Sequence, residues 1–354
     1  MISIFAEITG IKYTPLLCRK LNVFAFNELS KALSKEATFI LKVNNKNQIA
    51  VSWWVSAKRT RSYPYARAYD SLSFSGKKIT IIPIVKDEGK DGDRDFLQWD
   101  TVSLMSLLGI YVIIAYYSDA SPSSKYDNKI TNQKFDIDYL NKEIKKLLSY
   151  QSDALHWNLA QIDKIGEIGQ KALECYDNIF KKLNIKMHSR LSAERRIKQL
   201  LEGKEAFMRL SRDLAEKAQK RESITIQPKE KLAGNKAIIT IKNYLGGYYY
   251  LTVDEVEINK EDIILIEGKH TKSANLPSLD DIKDGLLKMI LFTNLKNVKM
   301  DNKNYSPLPI LKLTTENKFK IDLLNEPQKK VLILLKKEAE VNGFKILINN
   351  EFLT

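Results

Sequence analysis

The chain has 354 residues, a formal net charge of +14 and a hydrophobic content of 44%. At ~100–200 residues per domain this supports two or three packed domains, and the surplus of Lys and Arg points to a polyanionic partner, nucleic acid or an anionic membrane surface. No apolar run reaches the ~18 residues of a membrane span, and Cys18 and Cys175 are too few and too far apart for a disulfide framework or a zinc site. Membrane binding is the weaker explanation of the charge, because no strongly amphipathic basic helix with bulky aromatic anchors stands out. Residues 1–11 carry neither the basic head nor the cleavage site of a signal peptide. The reducing cytoplasm of a prokaryote is therefore the expected setting.

Taken in chain order, the first distinctive stretch is 53–67, where aromatic residues alternate with Lys58, Arg59, Arg61 and Arg67. Arginines can grip phosphates or pair with guanine, and Trp or Tyr can stack on bases. The plainer reading is a strand followed by an exposed basic loop. Residues 79–85 and 110–117 then read as buried strands, with a helix over 96–108 between them, so a parallel pairing is expected. The connection 86–95 is densely acidic and is followed by Asp100. It reads as a solvated turn or as a metal-capable, ligand-reading loop, and it does not fit the EF-hand template.

A break at Ser121-Pro122-Ser123-Ser124 precedes a proline-free region, 139–222, that reads as helical. One apolar face runs from Leu147 through Leu155, Leu159 and Ile162 to Ile168, and a second from Leu191 to Leu214. The second carries a basic set that includes His188, Arg190, Arg195, Arg196, Arg209 and Arg212. Such a set is either a solvated helix face partly paired to Glu194, Glu202 and Glu205 or a clamp on a DNA backbone or a dimer arm. A second break lies at Ile226-Gln227-Pro228-Lys229.

The most informative stretch follows a short strand at 238–241. Residues 253–258 and 263–270 read as strands rich in Val and Ile, joined by the turn Asn259-Lys260-Glu261-Asp262. If Asn259 and Asp262 close a two-residue loop, Asp254 stands opposite Glu267, and the period of two puts Lys269 on the same face. Two adjacent carboxylates repel and call for a cation between them. Mg²⁺ suits this, since it takes few protein ligands and keeps several waters. A lysine beside them can orient a water or steady charge developing on phosphorus. The plain alternative is a half-exposed hairpin with ordinary surface charges.

The same segment resembles the PD-(D/E)xK nuclease superfamily and, within it, the type II restriction endonucleases. The resemblance rests on Asp254, the hairpin, and Glu267-Gly268-Lys269 closing the apolar run Ile263-Ile264-Leu265-Ile266. Val253 stands where the family pattern has proline, and the likeness covers residues 235–350, about a third of the chain. It implies that Asp254, Glu267 and the backbone carbonyl of Gly268 hold Mg²⁺ and that Lys269 serves the attacking water. His270 and Lys272 then become candidates for contact with DNA, although a histidine in such a place is more often structural.

The flanks continue in the order that this core requires. Ser278 is a candidate N-cap for a helix over 279–296, with Asp280 and Asp281 in its first turn. A strand is predicted at 308–314, a helix over 327–342 stopped by Gly343, and a last strand at 344–348. The expected fold class is mixed α/β, divided into an N-terminal α/β domain (1–125) for DNA recognition, a helical region (126–222) for clamping or dimerisation, and a nuclease core (223–354). The expected function is that of a Mg²⁺-dependent, sequence-specific double-stranded DNA endonuclease, most simply a homodimeric type II restriction enzyme. The alternatives are another nuclease of the same superfamily, for repair or recombination, and a non-catalytic DNA-binding protein.

Overall fold

A computed structural model describes residues 2–44, 47–58, 61–201, 235–243, 248–272, 275–301, 303–316, 319–349 and 351–353. The protein is mixed α/β, with mixed sheets flanked by helices. It divides into two units. One joins Met1–Lys20 to Asp213–Thr354, and the other is Leu21–Arg212.

The first unit is built on one sheet with nine described strands: β1 (Ile2–Ile8), β2 (Asn235–Asn243), β3 (Tyr248–Asn259), β4 (Asp262–Thr271), β5 (Lys296–Met300), β6 (Lys303–Asn304), β7 (Ser306–Thr315), β8 (Lys345–Ile348) and β9 (Glu351–Phe352). Their order across the sheet is β6-β5-β1-β2-β3-β4-β7-β8-β9. The β3–β4 hairpin is antiparallel, whereas β4, β7 and β8 run parallel. Among the described residues, its α-helices are α1 (Leu279–Phe292) and α2 (Glu326–Asn342). α1 packs on β4 and β7, and α2 on β8.

Local chemistry accounts for the helix ends. Ser278 Oγ accepts the backbone N–H of Asp281 at 3.1 Å, and Asp280 and Asp281 occupy the positive end of α1. α1 stops at Phe292, short of the expected 296. Thr293 Oγ1 bonds back to Met289 O at 2.9 Å and Asn294 Nδ2 to Ile290 O at 2.8 Å, and the chain then turns into β5. Asn325 and Gln328 form a capping box at the start of α2, and Gly343 ends that helix with φ +75°.

The N-terminal segment belongs to this unit, in contrast to the expected boundary at 125. Ile4, Ala6 and Ile8 alternate into the core from β1, which pairs in parallel with β2. Beyond it, buried Glu338 on α2 accepts Tyr13 Oη at 2.7 Å, Leu16 N at 2.8 Å and Leu17 N at 3.1 Å. A buried carboxylate must be satisfied in this way, so the segment is tied down by hydrogen bonds as well as by burial.

The second unit holds a five-stranded sheet in the order Val23–Ala25, Thr38–Lys42, Gln48–Trp53, Lys78–Pro83 and Ile110–Ala115. The expected parallel pairing of the last two is present, with Ile79 beside Tyr111. The helix between them is Trp99–Leu107, because Arg94–Phe96 instead pairs as a short ribbon with Val85–Asp87. The helices Ile137–Ser149, Ala154–Asp163, Ile165–Leu183 and Arg190–Leu201 belong to this unit and form no separate domain. One reason is the edge strand Ile110–Ala115. Its Val112 N–H donates to Asn158 Oδ1 at 2.6 Å, and its Val112 O accepts from Trp157 Nε1 at 2.7 Å. Helix side chains thus cover a sheet edge that would otherwise stay open. The face buried by that helix is Trp157, Asn158, Gln161 and Ile162, while the expected Leu155 and Leu159 are only half-buried. Leu191, expected on the second apolar face, is exposed. The rest of the expected basic helix, including Arg209 and Arg212, lies outside the described residues.

Candidate active site

The β3–β4 register is the expected one, running from Asn259 opposite Asp262 to Glu255 opposite Ile266. Lys260 takes up a left-handed φ of 56° in the connecting turn. The ladder stops before Asp254 and Glu267 would pair through their backbones. There Asp254 Oδ2 accepts the N–H of Gly268 at 2.9 Å.

The other side of β3 explains the interruption. Between Val253 and Val256 this strand has one residue more than β2 has between Ala237 and Asn235. This is a β-bulge, a device that re-aims side chains. It leaves Asp254 directed toward Gly268 and places the buried Glu255 against Lys312, 3.1 Å away.

Glu267 lies on β4 and is 1% exposed. Its Oε1 is 3.0 Å from Lys269 Nζ, and its Oε2 is 2.5 Å from Lys288 Nζ. Lys269 Nζ also donates to Asp284 Oδ2 at 2.6 Å. Asp284 and Lys288 are one helical turn apart on α1, so one helix face supplies a carboxylate and an ammonium to the site. Gly285, between them, permits the close approach: a Cβ there would stand 2.6 Å from Leu311 Cδ1 and 3.3 Å from Lys269 Cε.

The electrostatics are those of a crowded, mostly buried cluster. Burial, with the neighbouring Asp254 charge, pushes the Glu267 carboxyl up to about 7 against the pull of Lys288 and Lys269. Burial also raises Asp254, but Lys288, the Gly268 N–H and the bond with Glu267 outweigh it, and its pKa lies below the usual value. Both lysines are held protonated. Burial opposes this, and the facing carboxylates, Glu267 first, overcome it.

The sequence reading anticipated Asp254, Glu267 and Lys269 near one another, and the fold brings them together. It did not include Asp284 or Lys288. The sequence places both on α1 one turn apart, which puts them on one helix face without saying what that face meets. Asp254 and Glu267 are a donor pair suited to a hard cation that keeps most of its waters. Among the described residues there is no group of three or more His, Cys, Asp or Glu able to hold a metal. Both Glu267 oxygens already face ammonium groups.

The residues proposed to contact DNA are placed very differently from one another. Arg61 does not face solvent as a phosphate ligand would. It is enclosed by Glu88 at 2.9 Å, Asp95 at 3.0 Å and Asp93. Arg67 donates to Trp53 O at 2.9 Å and Ser62 O at 3.0 Å, with its guanidinium 4.6 Å from the Trp53 ring centre. Both are therefore framework residues, since their donors are spent inside the unit. Lys58, Arg195 and Lys272 are exposed. Arg196 is half-buried near the Phe96 ring, and His270 Nδ1 shares a hydrogen bond with Thr314 Oγ1 at 2.9 Å. Arg59 lies outside the described residues.

The acidic connection at 86–95 is an internal ion-pair network. Glu88 faces Lys86 at 2.8 Å, Arg61 at 2.9 Å and Lys129 at 3.1 Å, and Asp87 faces His188 at 2.7 Å. The Glu88 carboxylate is thus already neutralised by cations of the chain. The side chain of Asp100 is not among those described.

No helix among the described residues is long and apolar enough to cross a membrane. Comparison with family models, with curated proteins and with solved structures gives no match for this chain.

Proposed function

We propose that the protein is a Mg²⁺-dependent, sequence-specific endonuclease of double-stranded DNA, most simply a type II restriction enzyme acting as a homodimer. The observation that carries this reading is the meeting of Asp254, Glu267 and Lys269 where β3 and β4 part. Asp254 and Glu267 would hold the metal, with the Gly268 carbonyl beside them. A bound Mg²⁺ supplies polarisation of a phosphate oxygen and a more acidic water. Lys269, oriented by Asp284 and Glu267, is placed to donate to that water or to the phosphate oxygens as charge builds there. The net charge of +14 favours a polyanionic substrate, and two copies are the simplest way to cut both strands of a palindromic target. Exposed Lys58, Arg195 and Lys272 remain candidates for backbone contacts.

A second reading is a DNA-binding protein that does not cut. One observation favours it: both Glu267 oxygens already have ammonium partners. Incubation of unmethylated phage DNA with Mg²⁺ and either wild type or Lys269→Ala separates the two. Discrete fragments from the wild type alone would support the endonuclease. A smear abolished by the substitution would turn the function toward repair or general degradation. Salt-sensitive binding without cutting by either protein would favour the second reading.

A further inference from the structure

Lys288 is the charged group at this site that the proposed reaction leaves without a task. Its side chain is 13% exposed, and its Nζ lies 2.5 Å from Glu267 Oε2 and 3.4 Å from Thr252 O. Lys269, the other lysine, differs in having a carboxylate of its own in Asp284, 2.6 Å away. The carboxylate within ion-pair distance of Lys288 is Glu267, one of the two groups assigned to the metal.

Two carboxylates in hydrogen-bonding contact, Glu267 buried and Asp254 half-buried, need a compensating positive charge nearby. When no metal is present, Lys288 supplies it together with Lys269, whose charge is shared with Asp284. A divalent cation held by Asp254 and Glu267 would stand within a few ångströms of the same ammonium, in surroundings that screen it poorly. The two cations compete for Glu267 Oε2, the oxygen that Lys288 occupies. The lysine can leave, because its charge sits on a flexible four-carbon stem, and the free carboxylate then becomes a metal ligand.

We propose that Lys288 is a built-in counter-cation: it holds Glu267 in the metal-free protein, is displaced when a divalent cation binds, and so sets the metal affinity of the site. This rests on the nuclease reading for its metal. It makes Lys288 a positioning residue. It also removes the conflict between a lysine-saturated Glu267 and a metal-dependent activity, since the saturation belongs to the resting state.

The test is Mn²⁺ binding by titration calorimetry, without DNA, to the wild type, Lys288→Met and Lys288→Arg. Removing the competing charge while keeping the apolar stem should tighten Mn²⁺ binding by roughly tenfold or more. The arginine variant should bind no tighter than the wild type. In chelator, Lys288→Met should melt below the wild type, and Mn²⁺ should raise its melting temperature by the larger increment. If the methionine variant does not fold, Lys288→Gln carries the same comparison, since a neutral amide can still donate to Glu267.

Equal or weaker Mn²⁺ binding by the neutral variants would overturn the proposal, as would no binding by any of the proteins. Cleavage of phage DNA by the same wild-type preparation is scored separately. Cutting with unchanged Mn²⁺ affinities would sink the role of Lys288 and leave the nuclease reading standing. Tighter Mn²⁺ binding by the variant without cutting by the wild type would support the role of Lys288 and sink the nuclease reading.

Discussion

Asp284 Oδ2 and Lys269 Nζ lie 2.6 Å apart, one on the helix that covers the sheet and the other on the strand beneath it. The contact orients an ammonium that also faces Glu267, and it helps to keep that ammonium charged. If the site cuts DNA as proposed, Asp284→Asn should leave the protein folded and slow cleavage by roughly 10–100-fold, the scale of a small misplacement of a reacting group. With the raising influence of Asp284 gone, Lys269 gives up its proton at lower pH. The alkaline limb of the pH–rate profile should move down accordingly. An unchanged profile would mean that Asp284 serves only the fold.

Gly285→Ala separates packing from helix propensity. Alanine is favoured over glycine inside a helix by about 1 kcal/mol, so in an open position the change would stabilise. Here the new Cβ would stand 2.6 Å from Cδ1 of Leu311, which is 0% exposed and enclosed by the sheet. The expected net result is a loss of about 1–3 kcal/mol, measured by urea unfolding, with Lys269 displaced and, on the proposed nuclease reading, cleavage reduced.

The network around Glu88 gives an acid-side prediction. Burial tends to raise this carboxyl, but the hydrogen bonds and charges of Lys86 and Lys129 overcome it and hold the pKa at about 2, against 4.5 for a free group. A carboxylate depressed in the folded state binds fewer protons there than in the unfolded chain. Its stabilisation is therefore complete above about pH 4.5 and lost as pH falls toward 2. The loss should be on the order of 3 kcal/mol. Glu88→Gln should be less stable than wild type at pH 7 and should converge with it near pH 2, as read by denaturant titrations across that range.

Arg61 and Lys58 should behave in opposite ways although both come from the same basic stretch. Arg61→Met leaves Glu88, Asp93 and Asp95 without a shared cation and should cost about 3–5 kcal/mol of stability. Its effect on the salt dependence of DNA binding should be nil. Lys58→Ala should leave stability unchanged, because Lys58 is exposed. If that surface meets DNA as proposed, Lys58→Ala should lower the slope of log affinity against log salt by about 1.

Much of the site could be read from the chain because it is assembled by a hairpin. Turn residues and alternation over a few positions settle which side chains stand near each other, and Asp254, Glu267 and Lys269 lie within that range. The bulge beside Asp254 was not legible, since it depends on the pairing of β3 with β2 on its far side. Asp284 and Lys288 were assigned to the correct helix, but nothing local to α1 says which of its faces meets Glu267. Arg61 misled for a related reason. A loop of cations looks free to bind phosphate until the fold brings Glu88, Asp93 and Asp95 around it.

By itself the sequence determined what short-range physics controls: the β3–β4 hairpin and its register, the Ser278 cap, and the stop of α2 at Gly343. Each follows from backbone preferences and hydrogen bonds among near neighbours. Only the tertiary structure decided that β1 lies in the same sheet as β2, that Glu338 pins residues 13–17, and that Lys288 reaches Glu267. These contacts join parts of the chain remote in sequence, where no periodicity carries the information. They form because buried backbone and buried charge must find partners, and the global packing decides which partners are within reach.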